Sequence, residues 1–484
     1  MPTPSPRRAR ASRHALRVCI LVLLSSLVLL SGLGNRCLQR ERETRIALTA
    51  REMADGGSWL VPEYRGQLRL KKPPVPYWFV AVLYEAGAPV NSAFWARLPT
   101  ALFAIGLVLA TYFAGGMMLG WRAAYIGALA LVTTQPFLIQ GRVAEADAAM
   151  MFFLVLCSGC SYLAMHPRGS ARWWLAAGAF AGAGFMMKGV AAVMIPLGTL
   201  LLFAALRPDS LRTARWRWAL GGVFLCTLIA APWYLYIYSV THGEGAASSA
   251  IASQMEETFG KVGRHPEPFW YYLSNWPGLM APWGLLAPFA AFAMWRRRRH
   301  RGVAFLLAWF FAGLVLLSLI TTKQRHYSLI LLPPTALAAG YWLSLLYLRR
   351  GFPSVRKMEI LAGLLAVGAA AWLGWWQPSH DDEAVIPGFM RKAEHLTQGR
   401  AEIWTSGTMP WCSEFYFERP VQSLSSIPKA WRRVPVGGAM IAIERGKPLK
   451  GIDEVDGELV LTRSRGDVRC RLYLKNPPPG QAAD

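Results

Sequence analysis

The sequence predicts a polytopic α-helical membrane protein of about 11–13 spans, with a small α/β domain outside the membrane at its C-terminal end. Three observations carry this. The 484 residues are 54% hydrophobic and only 17% charged, with a mean hydropathy of +0.27, which excludes an ordinary soluble enzyme. Apolar runs long enough to cross a bilayer recur from residue 16 to residue 376. Beyond residue 377 the chain turns polar, with strand-like alternation. The net charge of +24 suggests nucleic acid at first sight. Its distribution excludes that partner, because the basic residues cluster in short loops between apolar runs.

Taken in order, residues 1–15 are a basic tail rich in Pro and Ser. The first span runs over about 16–33, and residues 16–376 form the membrane domain. Residues 39–92 are its first long loop, closed by a short apolar helix near 77–86 that suits the interface. Further spans are expected at 94–119, 123–139, 146–165, 173–187, 189–206, 218–240, 269–295, 303–321, 327–348 and 360–376. A second long loop covers 241–268. Residues 377–484 carry strand-like runs AEIWTSG, GGAMIAIER, GELVLTR and VRCRLYL, with PWCSEFYFE as helix or turn. Cys412 and Cys470 are the two cysteines there, and an oxidising compartment would allow them to pair. Cys157 and Cys160 form a CxxC inside an apolar helix, where small residues serve close packing.

Loop charge sets the orientation. The arginine-rich loops HPRGSAR, LRPDSLRTARWR, WRRRRHR and LRRGFPSVRK belong inside. The first loop, GRVAEAD, the Met187–Lys188 junction, the 241–268 loop, TTKQRHY and the C-terminal domain then lie outside, which in a bacterium is the periplasm.

The outside loops hold the chemistry. Thr44 to Ala54 reads as a short amphipathic helix stopped by Gly56 and Gly57. Pro73 and Pro74 hold the chain extended after Lys71 and Lys72. Asp147 opens an apolar span, with Arg142 and Glu145 just before it; an N-terminal helix carboxylate is the plain structural alternative. Lys188, Arg264, Lys323, His326 and Tyr327 also fall on outside turns. Several cationic outside loops run against the positive-inside bias, and together they suit a phosphate head group.

These residues carry a family resemblance. The series AREM, WLVP, KPP, YW, RLPTALFAIG, GRVAEAD, MKG, APWY, HPEPFWYYL, APWGLLAP and TTKQRHYSLILLPP resembles membrane glycosyltransferases of the GT-C class. The similarity is to bacterial transferases that move 4-amino-4-deoxy-L-arabinose to lipid A, and to protein O-mannosyltransferases. It covers roughly residues 42–334. It implies a GT-C-like fold, a polyprenyl-phosphate sugar donor, an outward-facing site and a lipid, glycan or protein acceptor. Three departures stand out. Arg42 falls where the family carries Asp, with Glu43 on the family's Glu. Lys71 replaces a Glu, and QMEETFGK lacks a His. The last two positions are linked to metal in the lipid A subgroup, so the resemblance leaves a divalent cation open and its ligands unknown.

The chemistry of a phosphate leaving group assigns expected roles. Cations stabilise the departing anion, so Lys72 comes first, helped by Lys188, Arg264 and Lys323, with His326 and Tyr327 as hydrogen-bonding groups. A carboxylate base deprotonates the acceptor, and Glu43 and Asp147 are the candidates. Single displacement inverts the anomeric centre. Two alternatives remain: a lipid-head-group transporter or flippase, and an inactive relative that binds lipid carriers. An internal repeat and cations spread through the membrane depth would mark the transporter; neither stands out.

Overall fold

The computed structural model describes residues 6–476 apart from 39, 71, 241–266, 321–322, 352–353, 399, 401, 408–409, 418–420, 425 and 447–448. Its helices, in chain order, are α1 (Pro6–Leu30), α2 (Glu41–Ala54), α3 (Val75–Glu85), α4 (Ala93–Leu119), α5 (Trp121–Val132), α6 (Gln135–Gln140), α7 (Asp147–Met165), α8 (Trp173–Lys188), α9 (Ala191–Leu206), α10 (Asp209–Thr213) and α11 (Trp216–Val240). After several short turns come α12 (Ala287–Arg296), α13 (Arg301–Leu319), α14 (Leu332–Arg350), α15 (Val355–Ala371), α16 (Val385–Leu396), α17 (Pro410–Tyr416) and α18 (Ile427–Arg433). The chain divides into two compact units. One holds Met1–Ser31, Gly57–Trp78 and Pro99–Ala370; the other holds Gly32–Gly56, Phe79–Leu98 and Ala371–Asp484.

Among the described residues, seven helices are long and apolar enough to cross a membrane. Some expected spans are shorter or broken. The run at 123–139 ends at Val132 and resumes as α6, with Pro136 in its first turn. Thr133 Oγ1 bonds back to the Leu129 carbonyl at 3.0 Å, and Thr134 Oγ1 to that of Ala130 at 2.7 Å. Such back-bonding competes with the helix. The run at 269–295 breaks into Tyr271–Ser274, Trp276–Leu279, Trp283–Leu286 and α12, because Pro277, Pro282 and Pro288 each remove an amide donor. The expected basic tail is also shorter: helix begins at Pro6, since Arg and Ala are strong helix formers.

In the first unit, glycines bring helix backbones together. A Cβ on Gly178 of α8 would meet the Gly222 carbonyl oxygen of α11 at 1.9 Å, and one on Gly340 of α14 would meet that of Ala123 at 2.3 Å. In lipid, where apolar burial does not drive helices together, this close approach supplies dispersion contact instead. A two-stranded hairpin, β1 (Glu63–Tyr64) with β2 (Gln67–Leu68), precedes the Lys72 turn. Its tip residues Arg65 and Gly66 both have positive φ, 58° and 68°, as a type I′ turn requires.

In the second unit the C-terminal residues form a five-stranded sheet ordered β4-β3-β5-β7-β6, from β3 (Ile403–Gly407), β4 (Val421–Ser423), β5 (Ala439–Arg445), β6 (Glu458–Arg465) and β7 (Val468–Leu474). β3 is parallel to both neighbours, with α17 and α18 as the crossovers that parallel pairing needs. β5 is buried from Ala439 to Ile443, as expected of an apolar run at the sheet centre. Trp431, Met440, Ala442 and Tyr473 form the core of this part. Cys470 is buried and free; the Cys412 side chain lies outside the described residues.

The same unit ties α2 to the C-terminal domain. Arg51 of α2 donates to the carbonyl oxygens of Phe417 at 2.8 Å and Glu414 at 3.3 Å, capping the end of α17 as a cation should. Asn35 donates to the Gly374 carbonyl at 3.0 Å, and Arg36 pairs with Asp381. α2 starts at Glu41 and buries Glu43, Thr44, Ala47, Leu48, Thr49, Ala50 and Met53. Ile46 and Ala54, apolar residues of the same helix, are only half-buried, because the buried face packs through small and polar residues.

Candidate active site

α7 begins with Asp147, and α8 ends with Lys188. The two helices pack side by side, so a carboxylate at one end meets an ammonium at the other. Lys188 Nζ donates directly to Asp147 Oδ1, and Asp147 is 4% exposed. A pair this deep holds only while both members are present. Lys188 Nζ also stands 5.8 Å from the centre of the Tyr327 ring. His326 and Lys72 act electrostatically on the same carboxylate. The structure therefore gathers Asp147, Lys188, Lys72, His326 and Tyr327, which span more than 250 residues of sequence, into one group.

Packing explains the gathering. Leu70, just before the Lys72 turn, shares a buried cluster with Met186 of α8 and with Trp233 and Ile237 of α11; Val61 and Val75 pack against it. Trp233 Nε1 donates to the Leu60 carbonyl at 2.8 Å, and Trp78 Nε1 to that of Trp59 at 2.6 Å. These contacts fix both ends of the segment that carries Lys72. On the opposite turn, the Tyr272 hydroxyl donates to the Gln324 carbonyl at 3.0 Å and accepts from its amide at 3.1 Å. The loop before Asp147 is pinned by Arg142, which donates to the Val28 and Leu29 carbonyls at 2.7 and 2.9 Å. Thr100 Oγ1 donates to the Glu145 carbonyl at 3.1 Å.

Glu145, Asp147 and His326 each offer one ligand atom, all within 4.8 Å of one another. Two carboxylate oxygens and an imidazole nitrogen fit Zn²⁺ or Mn²⁺. Asp147 is already taken by Lys188, so a metal there must share or displace that ammonium. The two departures noted for the lipid A subgroup, Lys71 and QMEETFGK at 254–261, lie outside the described residues.

Two predicted residues are engaged in other contacts and one is not described. Lys323 is buried and donates to the carbonyls of Ser318 at 3.2 Å and Ile320 at 2.6 Å. It caps the end of α13, and burial pushes its ammonium pKa down, with Glu267 opposing. Arg264 lies outside the described residues. Glu43 belongs to the second unit, where it is 1% exposed. Arg97 Nε donates to its Oε1 at 2.9 Å and Arg97 Nη2 to its Oε2 at 3.2 Å. Arg97 also donates to the carbonyls of Leu33 and Arg36, both at 3.0 Å, and of Cys37 at 2.8 Å. Arg97 is thus an ion-pair partner of Glu43. Arg97 opens the RLPTALFAIG run that carries the resemblance but is assigned no role from sequence, although an ionised residue inside an apolar run is itself a signal.

With this geometry in view, known proteins place the chain. Residues 71–236 match the family described as dolichyl-phosphate-mannose-protein mannosyltransferase. The undecaprenyl phosphate-α-4-amino-4-deoxy-L-arabinose arabinosyl transferase 1 of Pseudomonas fluorescens Pf-5 is 28% identical, over 75% of this chain and 67% of the relative. The corresponding transferase of Edwardsiella ictaluri is 30% identical, over 66% of this chain and 58% of the relative. The chain thus spans between about half and two thirds of the length of such relatives. Among solved structures, ArnT from Cupriavidus metallidurans bound to undecaprenyl phosphate superposes with a TM-score of 0.75 at 18% identity, covering 96% of this chain and 99% of that one. The Archaeoglobus fulgidus oligosaccharyltransferase AglB gives 0.52 at 11%, covering 86% and 65%. The chain is an integral membrane protein of the GT-C glycosyltransferase fold, resembling the aminoarabinose transferases and the protein mannosyltransferases.

Proposed function

We propose that this protein is a membrane glycosyltransferase that moves a sugar from a polyprenyl-phosphate donor, as the relatives' names describe, to an envelope acceptor, with lipid A as the acceptor that the family resemblance implies. The observation that carries the reading is the buried Asp147–Lys188 pair with Lys72, His326 and Tyr327 around it. The donor needs cations at its phosphate and a carboxylate at the acceptor hydroxyl. Here both stand in one group.

In this reading Lys72 binds the donor phosphate, and His326 and Tyr327 supply hydrogen bonds. As the phosphate enters, Lys188 moves its charge from Asp147 to the incoming anion. That frees Asp147 to take the acceptor proton while the C–O bond to phosphate breaks. Stabilising the departing phosphate is the larger electrostatic contribution, and proton transfer adds about 10²–10⁴-fold. One displacement inverts the anomeric carbon. The transferred sugar is a pentose by analogy with the relatives. Both oxygens of Glu43 are occupied by Arg97, so Glu43 holds α2 in place and Asp147 takes the base role. A divalent cation, if bound, would be held by Glu145, Asp147 and His326 and would supply Lewis-acid charge at the phosphate. The site faces the periplasm, with residues 377–484 as a domain on that side.

The test is transfer by the purified chain in vesicles, with undecaprenyl-phosphate aminoarabinose and lipid A read by mass spectrometry. Product from the wild type and none from Asp147→Asn supports the reading. Binding of polyprenyl phosphate without transfer from any sugar donor would make the protein a carrier-binding relative instead.

A further inference from the structure

A strongly basic surface lies at six helix ends of the first unit. Three segments meet there: 165–173, 206–218 and 295–301. Together they contain eleven arginines and one carboxylate, Asp209. Hydrogen bonds lock them to one another. Arg301 donates to Asp209 Oδ2 at 2.7 Å and to the Met165 carbonyl at 2.9 Å. Arg207 grips Asp209 with two bonds, 2.9 and 3.1 Å, and donates to the Arg299 carbonyl. Thr213 Oγ1 donates to the Met165 carbonyl at 2.8 Å, and Arg215 to that of Gly169 at 2.7 Å. Arg215 keeps a φ of +49°, an uncommon conformation for a residue with a side chain, so the loop is held in one shape.

This bonding consumes the single negative charge. Arg168, Arg172, Arg212, Arg217, Arg297 and Arg299 remain exposed. Burial together with Arg207 and Arg297 pushes the His300 imidazole pKa down, so positive charge is felt across the loops. Beside the arginines stand Trp173, Trp216, Trp218 and Trp295, each 40–60% exposed at a helix end. Indole rings at helix ends sit at head-group depth, and arginines placed there meet the phosphates of the same leaflet.

We propose that these loops form a preorganised binding surface for the head groups of anionic phospholipids in the leaflet they meet. Charge chooses the lipid, since zwitterionic head groups offer no net negative charge. The tryptophans fix the depth at which the arginines act. The locked loops keep the arginines together without a ligand, so little ordering cost opposes binding.

The experiment uses the full chain in nanodiscs of phosphatidylcholine with one quarter part phosphatidylglycerol. Native mass spectrometry counts the lipids that remain on the protein after extraction. The wild type should retain phosphatidylglycerol at about tenfold its bulk ratio, falling to a few-fold at high salt as charge is screened. At about fivefold per arginine next to the lipid, Arg212→Gln with Arg217→Gln should lower the tenfold enrichment to about twofold, the remaining exposed arginines holding the rest. Arg463→Gln with Arg469→Gln, on the C-terminal sheet, removes equal charge and should leave it unchanged. Retention at the bulk ratio, insensitivity to salt, or equal loss in both double variants would overturn the proposal. The wild-type ratio and its salt response need no variant to fold.

Discussion

Arg97 and Glu43 form a two-pronged buried pair, and the same guanidinium holds the carbonyls of Leu33, Arg36 and Cys37. One side chain thereby fixes the start of α2, the start of α4 and the turn between α1 and α2. Removing either partner leaves an uncompensated buried charge, which costs about 3–5 kcal/mol. Arg97→Ala should therefore fail to accumulate or should lose its thermal transition in detergent. Arg97→Lys should rescue little, because an ammonium cannot reproduce the fork. Accumulation of a fully stable Arg97→Ala protein would remove this role.

Asp147 and Lys188 should behave as a coupled pair. Asp147→Asn should lower turnover by at least about 10²-fold with a smaller change in donor affinity. Lys188→Met should weaken donor binding and turnover together. On stability, the double variant should be less damaged than the sum of the two single ones, since it leaves no orphan charge. Strict additivity in denaturation would show that the two groups do not interact.

From sequence the C-terminal domain is expected to be separable from the chemistry, because no cluster of acids and cations there resembles a site. Its packing is a separate matter: Arg51 contacts Glu414 and Phe417, and Arg36 pairs with Asp381. A truncation after Gln377 strips α2 of these contacts. Arg51→Ala should make the C-terminal domain markedly more sensitive to protease, by the loss of about 1.5–3 kcal/mol for hydrogen bonds from a charged donor. Unchanged cleavage rates would show that α2 and α17 are held by other contacts.

Cys470 provides a pH test. Burial, with Cys37 and Glu444 adding to it, pushes its thiol pKa up to about 12. The unfolded thiol ionises near 8.5. A group whose folded pKa is raised contributes stability that is complete below the unfolded value and is lost as pH climbs toward the folded one. Iodoacetamide at pH 8 should leave Cys470 unmodified in the folded protein and alkylate it in denaturant, as read by peptide mass. Rapid labelling of the native chain would contradict the burial.

Much of the fold was legible in the sequence, and the reasons are particular. α7, α8, α9 and α13 fall within two residues of their expected ends, because long apolar runs bounded by charge have one solution in a bilayer. The strands at 439–445 and 468–474 were plain from β-branched and aromatic content. β4, three residues long, had too little pattern to show. α6 and the pieces between 271 and 286 were read as continuous spans, since hydropathy does not register proline or threonine back-bonding. In the site, Asp147, Lys188, Lys72, His326 and Tyr327 could be named because ionisable groups at membrane depth are costly to keep. Their partners could not. Glu43 and Arg97 are 54 residues apart, and no local periodicity links them. Lys323 shows the converse: a cation at a turn can serve its own helix end.

The touching glycines of α8 and α11 impose a schedule on biogenesis. Gly178 and Gly222 are separated by 44 residues, so at a synthesis rate of roughly 5–20 residues per second the second emerges about 2–9 s after the first. During that interval the bare backbone groove of α8 meets only lipid or the insertion machinery. A side chain at either position would let α8 insert on time and then find its seat blocked. Such variants should stall at assembly, with normal synthesis, normal insertion and rapid turnover by membrane proteases.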